Sequence, residues 1–239
     1  MEQILIGTQD SLVNILNLDV DDIKFGDIMN SLQKQCRFNG RTRIHYSVLK
    51  HSLLGAMIMH ESSTAEEVLA FMIHDFAESF TGDIIAPIKK MFLGLYEIER
   101  KIMQTVCQRY GISEEVLYSD KIKKIDKFMC DIEGNRLVSN IVFPSDKKIM
   151  NMAEDLHQQG YISTYGFNAI DEIMCMGFSE ENADRTKTAF RNLFLSQKNR
   201  QEQGDSFPLF GIAFGDNPSQ DDDMIDGDYD GDDEEEGIF

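Results

Sequence analysis

Apolar residues recur along most of this 239-residue chain at helical spacing, and alternating apolar–polar runs are scarce. Within LYEIERKIMQTVCQRYG (95–111), Ile98, Ile102, Val106 and Tyr110 fall about one turn apart, and Gly111 suits the helix end. Ser119 is placed to cap a further helix with Ile122, Ile125, Met129 and Ile132 on its inner face. HYSVLKHSLLGAMIMHE (45–61) predicts an earlier helix. Thr64-Ala65-Glu66-Glu67 forms a capping-box pattern ahead of VLAFMIHDFAESF, and Gly82 followed by Pro87 ends that helix. Residues 179–197 predict one more, with Ala183, Ala189, Phe190, Leu193 and Phe194 apolar. Proline is absent from 1–86 and 88–143, which permits long helices. The expected fold class is all-α, a helical globule with a loose C-terminus.

Charge divides the chain at its end. Of 42 acidic residues, 12 lie between Asp216 and Phe239, a stretch without Lys or Arg. The rest of the chain holds 30 acidic against 23 basic residues, so the net charge of −19 belongs mostly to the tail. Dense like charge with few apolar residues predicts disorder there. We therefore expect a folded unit over 1–200 and an acidic, disordered tail over 201–239, whose partner the sequence does not name. Asp226, Asp228, Asp230 and Gly231 spell the opening of a calcium loop, but Gly237 stands where the closing Glu would be, so a solvated tail is the better reading. The mildly acidic body argues against polymeric nucleic acid as a ligand. No run of about 18 apolar residues predicts a membrane span. Cys36, Cys107, Cys130 and Cys175 lie far apart and suit reduced thiols, hence a cytoplasmic setting.

Chemistry concentrates in MIHDFAESFTGD (72–83). An imidazole and a carboxylate side by side in an otherwise apolar helix are costly to bury without partners. Glu78 follows His74 by four residues and so shares its side of a helix. His51 interrupts one apolar helix and Asp126 another, with Asp120 and Asp131 as rivals to Asp126. Two imidazoles and two carboxylates make a mixed donor set suited to manganese, cobalt, iron, zinc or magnesium. Taken singly, each is equally served by a hydrogen bond to a carbonyl or an ion pair with a neighbouring lysine. Arg37 offers a planar fork matched to phosphate, with Arg41, Arg43 and Lys89 as further basic candidates and Arg43 read as surface charge. His60, nine residues beyond His51, is out of phase with it and reads as structural; His157 reads as exposed.

The joint pattern resembles the HD-domain metal-dependent phosphohydrolases, and within them bacterial 5′-deoxynucleotidases of the YfbR type. The resemblance rests on Arg37-Phe38, KHSLLGAMIMH (50–60) and HDFAESFTGDIIAPIK (74–89), with Thr81, Gly82, Asp83, Pro87 and Lys89 in register, and on IDKFMCDIEGNRL around Asp126 and Glu133. It covers about residues 37–136. The chain departs from the pattern at Phe38, where the family has tryptophan, and at Lys50, where it has glutamate. The resemblance implies an HD-domain fold, a divalent metal held by His51, His74, Asp75 and Asp126, and Glu78 as the catalytic group acting on the attacking water. It implies substrate contacts from Arg37, Phe38, Asp83 and Lys89, the first to phosphate and Asp83 to the sugar. The implied reaction is hydrolysis of deoxynucleoside monophosphates, with a homo-oligomer compatible and, given the tail, a phage-encoded branch expected. Deoxynucleoside triphosphate hydrolysis and a non-catalytic nucleotide-sensing module remain alternatives.

Overall fold

In the computed structural model, which describes residues 3–8, 11–168, 170 and 182–204, nearly all regular structure is helical. A small antiparallel hairpin, β1 (Leu5–Gly7) and β2 (Leu12–Asn14), precedes α1 (Phe25–Lys34) and α2 (Val48–Met59). Then come α3 (Ala65–Ile73), the short α4 (Glu78–Thr81) and α5 (Ala86–Lys89), and the long α6 (Leu93–Tyr110). The chain continues through α7 (Glu114–Leu117), α8 (Asp120–Glu133), a π-helical turn at Gly134–Val138, α9 (Asp146–Gln158) and a helical turn at 164–168. The last described helix is α10 (Ala183–Gln203). The expected all-α class is what is observed. The tail expected from residue 201 begins later than that, since the last helix continues to Gln203; the acidic segment beyond Gly204 and the calcium-loop-like stretch lie outside the described residues, as does Cys175.

The caps written in the sequence set the helix starts. Ser47, Thr64 and Ser119 each accept a backbone N–H from the first turn of α2, α3 and α8, and Glu67 completes the Thr64 capping box. Each such cap is worth about 1 kcal/mol. Gly111 closes α6 in the left-handed conformation, φ 64°. Two expectations need correction. The helix predicted from residue 45 starts at Val48, because Ser47 is its cap. The helix predicted to run from 65 to 80 stops at Ile73: through 74–80 the backbone tightens to i→i−3 bonds, including Phe76 N to Ile73 O and Glu78 N to Asp75 O, both 2.9 Å. Pro87 lies within α5, beyond that break.

Helices α2, α3 and α10 pack against one another around the core, and α1 and α8 close it. Phe25, Phe76, Tyr110, Phe190 and Phe194 form an aromatic cluster at its centre, with Phe25 and Phe194 ring centroids 4.7 Å apart. Gly55 lets α2 and α3 approach closely: a Cβ built there would lie 2.1 Å from Cε1 of Phe71. Gly55→Ala is therefore expected to cost about 1–3 kcal/mol by overpacking, read from the urea midpoint. The same close approach brings the two helices' histidines together. Among the described residues, no helix is long and apolar enough to cross a membrane.

Candidate metal centre

His51 projects from α2, His74 and Asp75 from the tightened turn after α3, and Asp126 from α8. The Nε2 atoms of His51 and His74 face each other at 3.4 Å. Asp126 Oδ1 lies 3.3 Å from the first and 3.7 Å from the second. Asp75 Oδ2 lies 3.9 Å and 3.2 Å from the same two nitrogens. His51, His74 and Asp126 form a group able to ligate one ion, and Asp75 adjoins it. Asp131 and Asp120 face elsewhere, ion-paired to Lys127 and Lys124. His60 lies outside this cluster, where its Nδ1–H donates to the Met57 carbonyl at 2.9 Å. His157 is half-buried rather than exposed, stacked on Phe167 with Nδ1 3.1 Å from the Ile162 carbonyl.

The tautomers follow from the outer partners. His51 Nδ1 lies 2.8 Å from Glu133 Oε1, and His74 Nδ1 2.5 Å from the Phe71 carbonyl. Both partners accept only, so both Nδ1 atoms donate and both Nε2 atoms present lone pairs to the same point. Two lone pairs and two carboxylates directed at one spot repel one another unless positive charge sits among them. A divalent cation meets that need, and the outer hydrogen bonds are those that fix metal-binding imidazoles. Without an ion, protons on the imidazoles answer the same need. Burial disfavours charged imidazole, yet Asp75 and Asp126 outweigh it and push His74 well above its ordinary value. Burial likewise opposes charge on Asp75 and Asp126, but the two histidines, with Arg37 beside Asp75, hold both carboxyls below their usual range. The side chain of Asp126 is 43% exposed while that of His51 is fully buried, so the centre opens to solvent on the α8 side.

Glu133 joins the site from beneath. Fully buried at the end of α8, it accepts from Tyr46 Oη at 2.8 Å as well as from His51, and its Oε2 is 3.1 Å from Arg37 Nε. Arg37 also reaches Asp75 Oδ2 at 3.4 Å, so its fork braces two carboxylates. Phe38 follows with φ 56°, Asn39 with 58° and Gly40 with 71°, three successive left-handed residues. That conformation is costly for phenylalanine. It leaves the Phe38 ring against Phe143, with the Arg37 guanidinium carbon 5.6 Å from its centroid.

A cavity of about 120 Å³ opens beside the cluster, lined by His74, Asp75, Glu78, Lys89, Tyr96 and Tyr118 among others. Glu78 is buried, with Oε1 3.3 Å from Lys89 Nζ and Oε2 lacking a hydrogen-bond partner. Burial, together with Asp75 and Asp83, pushes its carboxyl well above the ordinary range. Lys89 is shared with Glu99 at 3.0 Å, and Thr81 Oγ1 donates to Glu99 at 3.0 Å. Asp83 lies half-buried beyond Gly82, its carboxyl raised by burial and its Oδ2 without a hydrogen bond. Glu99, Tyr96 and Tyr118 escaped the sequence reading. The signal for Glu99 was present: it shares the buried face of α6 with Met103 and Val106.

The raised Glu78 carboxyl has a stability consequence. The folded state holds this proton better than the unfolded chain, so its contribution is complete at pH 4 and is lost as pH rises through the folded value. The metal-free Glu78→Gln variant is thus expected to gain stability on the parent between pH 4 and pH 8, measured by urea unfolding in chelator.

No protein-family model matches the chain. It is similar to the uncharacterised protein YfdR of Escherichia coli (strain K12), 32% identical over 109 residues, which cover 44% of this chain and 59% of that protein. An uncharacterised protein of Rhodobacter capsulatus is 32% identical over 97 residues, 38% of this chain and 50% of its own length. The chain thus spans about half the length of the curated relatives it matches.

Proposed function

We propose that this chain is a divalent-metal-dependent phosphohydrolase of the HD-domain type that hydrolyses deoxynucleoside 5′-monophosphates to deoxynucleoside and phosphate. One observation carries the reading: two imidazoles, each with Nδ1–H held by an acceptor, turn their Nε2 atoms toward each other at 3.4 Å beside two carboxylates. His51, His74, Asp75 and Asp126 would hold the ion, which when bound supplies Lewis acidity and a more acidic water.

The remaining residues divide the work. Glu78, in a buried cavity at the edge of the cluster, accepts a proton from the attacking water and returns it to the leaving sugar oxygen. Its raised affinity for a proton suits both halves of that role. Lys89, held by Glu99, keeps Glu78 in place. Arg37 positions Asp75 and adds positive charge beside the phosphoryl group, and Phe38 and Asp83 bound the sugar. Phosphoryl transfer needs this positioning and charge neutralisation more than a covalent nucleophile.

The test is an assay of the purified chain with Mn²⁺ or Co²⁺ and either dAMP or dATP. Orthophosphate from dAMP supports the proposal. Tripolyphosphate from dATP would transfer the activity to triphosphate hydrolysis. No product from either, across several metals, would sink the enzyme and favour a non-catalytic module.

A further inference from the structure

A second concave site lies elsewhere, and it is cationic. A groove of about 680 Å³ runs between α1, the segment Arg43–His45 and the first turn of α10. Lys34, Arg43 and Lys187 line it together with His45, Asn30 and Gln33, and none of the described lining residues is acidic. In a chain of net charge −19, three cations lining one groove stand against the average field. Lys34 and Arg43 are exposed, and among the described residues neither is paired with a carboxylate. Lys187 is anchored by Asn30 Oδ1 at 3.2 Å and lies 3.6 Å from Asp184, whose side chain is 93% exposed. Ala183 places the amino end of a 21-residue helix at the same groove, and with it the positive end of the helix dipole, where Asn182 Oδ1 accepts the Arg185 N–H at 2.9 Å. None of these residues lines the cavity beside Glu78.

We infer that this groove binds a small-molecule polyphosphate, a ligand with at least two linked phosphate groups. Cations presented by three separate segments around a groove of this size suit a linked pair or triplet of phosphates. The volume leaves space beyond the phosphates, where Asn30 and Gln33 line the groove. Three cations are too few for a duplex footprint. The groove's second wall is also mechanically tied to the metal centre. The Arg43 amide bonds the Leu137 carbonyl at 3.0 Å, and the Arg37 amide bonds the Tyr46 carbonyl at 2.9 Å. One loop thus carries Arg37 to the carboxylates at one end and Arg43 to the groove at the other, so occupancy of the groove bears on the position of Arg37.

The full chain is titrated calorimetrically, in chelator, with inorganic tripolyphosphate and separately with a nucleoside triphosphate. One site per chain is expected, weakened about tenfold by Lys34→Ala or Arg43→Ala and less by Arg43→Lys. Asp126→Asn should leave it intact, which separates this site from the metal centre and lets either fail alone. Equal affinity for both probes supports recognition of the phosphates themselves; tighter nucleotide binding supports a nucleotide as their source. Absence of binding by both probes overturns the inference. So does binding that survives both alanine variants, vanishes with Asp126→Asn, or is exceeded by a single-stranded oligonucleotide.

Discussion

Asp126→Asn is expected to lower Mn²⁺ affinity by more than roughly 100-fold, and dAMP hydrolysis with it, while leaving the fold intact. Residues that merely orient a metal ligand are worth about 10–100-fold, so loss of a contacting carboxylate exceeds that range. Asparagine keeps the size of the side chain but removes its charge. The facing Nε2 atoms of His51 and His74 then retain only Asp75 as a counter-charge for an ion. The 43% exposure of Asp126 predicts a small effect on stability, so lost binding cannot be assigned to unfolding. Co²⁺ absorption in the visible, which reports the number and kind of ligands, provides a measure independent of turnover. Wild-type spectra and affinity in this variant would remove the metal centre from consideration.

Glu133→Gln should act on both stability and site. Its carboxylate is fully buried and accepts from Tyr46 and His51 while facing Arg37. A glutamine amide at this position must turn N–H groups toward at least one of those donors, and the buried Arg37 loses one of its two charge partners. Breaking a buried pair on one side costs about 3–5 kcal/mol. Freeing the His51 ring should lower metal affinity by about 10–100-fold in addition. Adding Arg37→Met to Glu133→Gln separates the two effects: part of the stability returns because no unpaired cation remains, while metal affinity stays low. Urea unfolding and metal titration of the three proteins check this, and a Glu133→Gln variant as stable as the parent would count against it.

Much of the helical framework was legible because its signals are local. Thr64, Ser119 and Gly111 mark boundaries through interactions within one turn, and apolar spacing on α6 and α8 marks the buried faces. The break after Ile73 was not legible. A continuous helix satisfies the same apolar pattern, and only the tertiary site makes tightened i→i−3 turns preferable there. Among the site residues, His51, His74, Asp75 and Asp126 announced themselves as polar groups in apolar runs. Their convergence depends on Gly55 admitting Phe71, a contact between helices that spacing within either one does not encode. Lys89 reads in the sequence as a basic candidate for substrate contact; its ion pairs with Glu78 and with Glu99, ten positions later on another helix, are not legible there. The cationic groove draws on α1, the loop before α2 and α10, so its charges are too scattered along the chain to form a visible cluster.

The bond from His51 to Glu133 spans 82 positions. During synthesis both imidazoles leave the ribosome well before the acceptor that aligns one of them. The nascent N-terminal helices therefore lack the oriented nitrogen pair, and native-like capture of a metal ion has to await emergence of α8. On the proposed reading, chelation would consequently be a late act in the life of the growing polypeptide, sealing an assembled bundle rather than seeding it.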